Sequence, residues 1–144
     1  MKKQILSVCA AFLLIAAVGA VTAPAQSGNR LEANIPFDFI IGGKTLPAGT
    51  YAVTSPVESQ NSVRLIRSAE TRAAAVVMTV PTEPKTNRGP NQLVFHRYGD
   101  SYFLSQIWGD DGKVAQALPK SKLERELMAS AGTPSVVMVA LNSR

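Results

Sequence analysis

Gln92-Leu93-Val94-Phe95-His96-Arg97-Tyr98-Gly99-Asp100-Ser101-Tyr102-Phe103-Leu104-Ser105-Gln106-Ile107-Trp108 is the stretch whose reading decides the fold. Two runs rich in apolar and aromatic residues flank Gly99-Asp100, the pattern of a two-residue β-hairpin with glycine in the first turn position. A loop this short fixes the register, so Arg97 faces Tyr102, His96 faces Phe103 and Phe95 faces Leu104. One face is then expected to carry Leu93, Phe95, Arg97, Tyr102, Leu104, Gln106 and Trp108, and the other Val94, His96, Tyr98, Phe103, Ser105 and Ile107. Both faces hold aromatics. Such a pair lies inside the fold or is covered by another element or subunit, and a homo-oligomer through residues 92–108 is one expectation.

Upstream, Leu31 to Ile41 alternates apolar and polar residues, and Pro36 places this strand at a sheet border because proline lacks a ladder donor. Leu46-Pro47-Ala48-Gly49 turns the chain into a strand from Thr50 to Ser55. Ser62 to Ser68 reads as a third strand with Val63 and Leu65 on one face. Ala73 to Val80 is almost wholly apolar and is expected to be central, buried on both faces. Pro81 to Asn91 carries three prolines and no apolar period, and reads as a loop.

Downstream, Asp110-Asp111-Gly112 reads as a turn and Val114 to Leu118 as a short strand. Pro119 to Ala131 has the one helical pattern: Ser121 as cap, Glu124 closing a capping box, and an apolar stripe of Leu123, Leu127 and Ala131 beside Met128. Gly132 and Pro134 end it, and Ser135 to Leu141 is a last strand. The fold class expected is all-β and mainly antiparallel, a small sandwich or barrel of seven or eight short strands with one helix in the C-terminal half.

The first 25 residues have a different character. Lys2 and Lys3 precede an apolar run from Ile5 to Val21, and Ala23-Pro24-Ala25 offers the small-x-small pattern that signal peptidase cleaves. Residues 1–25 are thus expected to be a signal peptide, and 26–144 one β-rich domain that is periplasmic or extracellular. Cys9, the only cysteine, lies inside the apolar run after Val8, a poor place for lipid attachment, and leaves with it. Lys2 and Lys3 belong to the 15 basic residues, so the mature domain keeps 13 against 10 acids, a net charge of +3. That modest charge gives no case for nucleic acid. The strands are too short for an outer-membrane barrel, and no span remains after cleavage.

Four stretches carry a family resemblance: Ile35-Pro36-Phe37-Asp38-Phe39, Leu46-Pro47-Ala48-Gly49-Thr50-Tyr51, the hairpin from Phe95 to Leu104, and Leu118-Pro119-Lys120-Ser121 leading into Glu124-Arg125-Glu126-Leu127. With these the chain resembles a group of small exported proteins of environmental bacteria that has no assigned activity. The resemblance implies export and a β-rich domain, and transfers no catalytic residue.

The residue types needed for chemistry are sparse. His96 is the only histidine, and Ser101 and Ser105 are its diagonal neighbours on the hairpin. Diagonal Cβ atoms lie about 7–8 Å apart, long for a serine reaching an imidazole. No Gly-x-Ser-x-Gly elbow, no glycine-rich phosphate loop and no complete calcium loop is present, so neither a metal nor another cofactor is implied. Arg64, Arg67, Arg72, Lys85, Arg88 and Arg97 would form a basic surface only if their strands were neighbours. The residues offered for binding are His96, Arg97, Tyr98, Tyr102 and Trp108. The function expected is non-enzymatic binding or assembly with a protein or envelope component. One alternative is a β-barrel carrier whose apolar cavity is lined by Phe37, Phe39, Phe95, Leu104 and Trp108. A third is a hydrolase built on His96, which needs a serine or carboxylate in direct contact with the imidazole.

Overall fold

The alternation between Leu31 and Ile41 holds in the structure, but Pro36 divides it into two strands that belong to different sheets. A computed structural model describes residues 30–56, 62–83, 90–109 and 114–143. The signal peptide expected at 1–25, the turn expected at Asp110-Asp111-Gly112 and residues 84–89 of the expected proline-rich loop lie outside the described residues. Over the described residues the chain forms mainly antiparallel sheets with one helix, α1 (Lys122–Ala131). Strands number 12 among the described residues, more than the sequence suggests, because several apolar runs are split between sheets and a small hairpin begins at Phe39.

The first sheet has the order β12-β1-β4-β5-β6. It is made of β1 (Leu31–Ile35), β4 (Gly49–Thr54), β5 (Val63–Ser68), β6 (Ala74–Met78) and β12 (Asn142–Ser143). The second runs β11-β8-β9-β10-β7. Its strands are β7 (Val80–Thr82), β8 (Gln92–Tyr98), β9 (Ser101–Gly109), β10 (Val114–Ala117) and β11 (Ser135–Ala140). The hairpin of β2 (Phe39–Ile41) and β3 (Lys44–Leu46) joins this sheet by a parallel bridge from Ile40 to Phe103.

Between the sheets lies one core containing Ile35, Phe39, Ile41, Leu46, Tyr51, Ile66, Leu93, Phe95, Leu104 and Ile107. Removing each such side chain from water is worth about 1.5–3 kcal/mol. The aromatic rings interlock: Phe39 meets Tyr51 edge-on at 5.1 Å and Phe95 at 5.6 Å, and Phe37 meets Phe95 at 5.2 Å. Tyr51 is held by its hydroxyl, which donates to the Pro47 carbonyl at 2.7 Å and so locks the turn before β4.

At both lateral borders the chain passes from one sheet to the other. Thr79 alone separates β6 from β7; it is 3% exposed, and its N–H donates to the Ser62 carbonyl at 2.7 Å. Leu141 alone separates β11 from β12; its side chain enters the core and its N–H donates to the Asn91 carbonyl at 2.8 Å. The Ala73–Val80 run is therefore not central. It lies at the edge of the first sheet, with Val77 turned inward and Val76 and Met78 exposed. An unbroken apolar run reflects here a strand changing sheets, not burial on both faces.

Helix α1 also differs from its expected role. The Ser121 hydroxyl caps it by accepting from the Glu124 N–H at 3.2 Å, and Gly132, at a φ of 78° that only glycine adopts easily, ends it. Its apolar stripe is only partly its docking face: Leu123 is 47% and neighbouring Met128 41% exposed and Ala131 is exposed too, Leu127 is half-buried, and the residue buried most deeply is Glu124 at 4%. The helix rests on the outer face of β8, where the sheet presents a histidine.

Candidate functional site

The hairpin register is the one the two-residue loop dictates: Tyr98 opposite Ser101, Arg97 opposite Tyr102, His96 opposite Phe103 and Phe95 opposite Leu104. Gly99 takes φ 60° at the turn. Further from the turn the register shifts between Val94 and Phe95, so that Val94 faces Gln106, leaving Ser105 as the extra residue of a β-bulge. The bulge has two consequences for the faces. Ile107 joins Leu93, Phe95 and Leu104 in the core, and Trp108 crosses to the outer face, where it clusters with Val94 and Ala115. The expected placing of Trp108 beside Phe95 and of Ile107 beside His96 is therefore corrected.

The same bulge swings Ser105 to the imidazole. Ser105 Oγ lies 3.2 Å from His96 Nε2, and His96 Nδ1 lies 3.1 Å from Glu124 Oε1. The expected separation was too long for this contact. The Glu124 side chain is 5% and the His96 side chain 19% exposed, so the pair is largely withdrawn from water. Glu124 thus leaves its anticipated capping box half made and spends its carboxylate on the histidine. Strand bulge, strand histidine and helix carboxylate form one polar chain that fastens α1 to the sheet.

Tyr98 stands beside this chain, edge-on to Phe103 at 5.9 Å. Its hydroxyl is buried with no hydrogen-bond partner among the described residues. Desolvation first, and the Glu124 charge second, raise its pKa above the usual tyrosine value of 10.0. The fold favours the neutral phenol, so the stability of the fold is undiminished by this group's ionisation below pH 10.0 and declines as the pH climbs from there through the higher folded-state value. Tyr51 is raised likewise, by desolvation and then by Asp38 and Glu70. Tyr98→Phe should raise the unfolding free energy by about 1 kcal/mol, because it deletes an unpaired buried hydroxyl. It should also shrink the alkaline decline above pH 10.0, leaving the share due to Tyr51. Thermal melts at neutral pH and from pH 9 upward check both statements; a destabilised variant would show that the hydroxyl has a partner.

The remaining binding candidates divide. Arg97 sits over the Tyr102 ring at 5.4 Å, donates to the Gly99 carbonyl at 2.7 Å and pairs with Asp100 at 3.9 Å, which stiffens the hairpin tip. Tyr102 stacks on Phe37 at 3.9 Å. Trp108 donates from its indole nitrogen to Gln106 Oε1 at 2.8 Å. His96, Tyr98 and Trp108 share the outer face, whereas Arg97 and Tyr102 belong to the other.

No family model, curated protein or solved structure matches this chain. The site stands on its geometry.

That geometry does not gather the arginines. Arg64 and Arg67 lie on β5 in the first sheet, three residues apart and so on opposite faces, while Arg97 lies in the second. Arg64 reaches the buried Gln116 Oε1 at 2.6 Å, and desolvation lowers its pKa. Lys85 and Arg88 fall outside the described residues. Among the described residues no three His, Cys, Asp or Glu side chains gather into a metal-binding group, and no helix is long and apolar enough to cross a membrane. The residues proposed to line a carrier cavity instead meet one another: Phe37, Phe39 and Phe95 pack ring against ring, Leu104 closes beside them, and Trp108 is across the sheet.

Order and distance in Ser105, His96 and Glu124 are those of a nucleophile, a base and an orienting carboxylate. The backbone setting is different. Ser105 lies within β9, with β8 on one side and the Leu118 N–H donating to its carbonyl at 2.8 Å on the other. A nucleophile elbow instead sits at a strand-to-helix turn with free N–H groups beside it to hold an oxyanion. The sequence signal for the chain was present, in the lone histidine and the Ser-x-x-Glu of the helix start. The bulge that joins them has no such signature.

Proposed function

We propose that the protein is an exported β-sandwich module of the small bacterial group it resembles, and that it works by binding or assembly in the periplasm or outside the cell. One observation carries the reading: large apolar side chains stand exposed in two places although the core has closed. Leu123 and Met128 on α1 and Val136 and Met138 on β11 are 41–59% exposed, and Val136 lies directly opposite His96 on the same face. At the other border Val76, Met78 and Val80 are 60–71% exposed. A domain with a complete interior gains nothing from these residues unless another surface covers them. The leader at 1–25 supports export.

A specific geometry favours hydrolysis through Ser105, His96 and Glu124 as a second reading. One experiment separates the two. The protein is expressed in its producing cell with a photo-crosslinker in place of Met138, fractionated, weighed, and treated with a fluorophosphonate. The binding reading expects a chain starting at Gln26 in the periplasmic or culture fraction, a discrete crosslinked adduct, and an unlabelled Ser105. A full-length chain retained in the cytosol, or the absence of any adduct, overturns it. Labelling of Ser105 that His96→Gln abolishes would establish the hydrolase instead.

A further inference from the structure

The exposed border formed by β6 has a backbone as well as side chains to satisfy. The Ser68 N–H donates to the Ala73 carbonyl at 2.8 Å, and the Thr79 N–H donates to the Ser62 carbonyl at 2.7 Å. Alternation along the antiparallel ladder then turns the backbone groups of Ala73, Ala75, Val77 and Thr79 toward β5, and those of Ala74, Val76 and Met78 away from it. Lys44 Nζ donates to the outward Ala74 carbonyl at 2.9 Å and guards that end. Val76 and Met78 are left with outward N–H and C=O groups that have no protein partner among the described residues. Their side chains are 66% and 71% exposed.

We propose that β6 is a pairing edge through which two copies of this chain join about a two-fold axis, merging their first sheets. Edge donors and acceptors in a row are satisfied by another extended strand, which identifies the occupant as one. From Ala73 to Thr82 there is no charged residue, and the cations nearby, Lys44 and Arg67, stand at the Ala74 end, so a strand set against Val76 and Met78 meets only apolar side chains and is best matched by an uncharged one. A second β6 is such a strand. An antiparallel axis through Val77 sets Val76 opposite Met78 of the partner subunit and the reverse, for about four new backbone bonds with the exposed side chains in cross-strand contact. The assembly closes at two. The far edge of the same sheet is β12, only 2 residues long, which is too short to propagate head-to-tail pairing.

This inference rests on the assembly half of the proposed function, and its test distinguishes the two. Light scattering on the exported form at roughly 100 µM should give the mass of two chains. Met78→Lys and Val76→Lys should each give the mass of one and remain folded, with melting midpoints that no longer depend on protein concentration as that of the paired protein does, because both side chains are exposed in the single chain. Met138→Lys, on the opposite border, should keep two. A single chain for the unaltered protein, or a Met78→Lys variant that stays paired, overturns self-pairing. A single chain that still forms the Met138 adduct in cells refutes self-pairing alone and leaves the binding reading standing.

Discussion

Replacing His96 with alanine is expected to lower the unfolding free energy by about 3 kcal/mol, because the buried Glu124 carboxylate is left without its partner. Glu124 is 4% exposed and bonds to His96 Nδ1 at 3.1 Å. The Ser105 hydroxyl loses its imidazole partner in the same step. In a domain of this size the loss corresponds to a fall in melting midpoint on the order of 10 °C. Helix α1 should loosen first, since Leu123 and Met128 are substantially exposed and only Leu127 among its large apolar residues is partly buried. The double replacement His96→Leu with Glu124→Leu should recover most of the loss, because a buried pair exchanged for apolar groups of similar size is often neutral. If the single variant melts like the unaltered protein, the polar chain is not what fastens the helix.

A comparable loss is expected at the centre of the core. Phe95 is fully buried and its ring is met edge-on by Phe37 at 5.2 Å and by Phe39 at 5.6 Å. Phe95→Ala should cost about 3–5 kcal/mol through the lost transfer energy and the cavity left behind. Against a total stability of about 5–15 kcal/mol, that is enough to unfold a substantial fraction of molecules near body temperature. Phe95→Leu keeps most of the volume and should cost roughly 1.5 kcal/mol or less. Denaturant titration of both variants checks the ordering. Equal midpoints would mean that the ring contacts add nothing beyond bulk apolar volume.

The hairpin, the helix bounds and the class of fold were legible because short-range rules govern them. Gly99-Asp100 fixes a register, Ser121 marks a helix start, and alternation marks one buried face. The register failed past Phe95 because a bulge depends on what the strand must pass: β10 and Leu118 on one side and β8 on the other. No residue type in Leu104-Ser105-Gln106 announces it. Periodicity likewise misplaced β6, since an apolar run buried on both faces and one that crosses between sheets share the same pattern. Of the candidate site, His96 was visible as the only histidine, but its partners were hidden. Glu124 satisfied a capping rule on paper, and in the fold the histidine competed successfully for its carboxylate.

The strands that change sheets at Thr79 and Leu141 also bear on how the chain reaches this structure. β1 pairs on one side with β12, so Leu31 faces Ser143 across almost the whole length of the described chain. The first sheet lacks one of its borders until Asn142 and Ser143 have been synthesised. Contacts this distant in sequence make folding slow, and they deny a growing chain its full set of native contacts. The β1-β4-β5-β6 part of the first sheet, by contrast, is built from strands that follow one another in the chain, so it is the border at β1 that forms last.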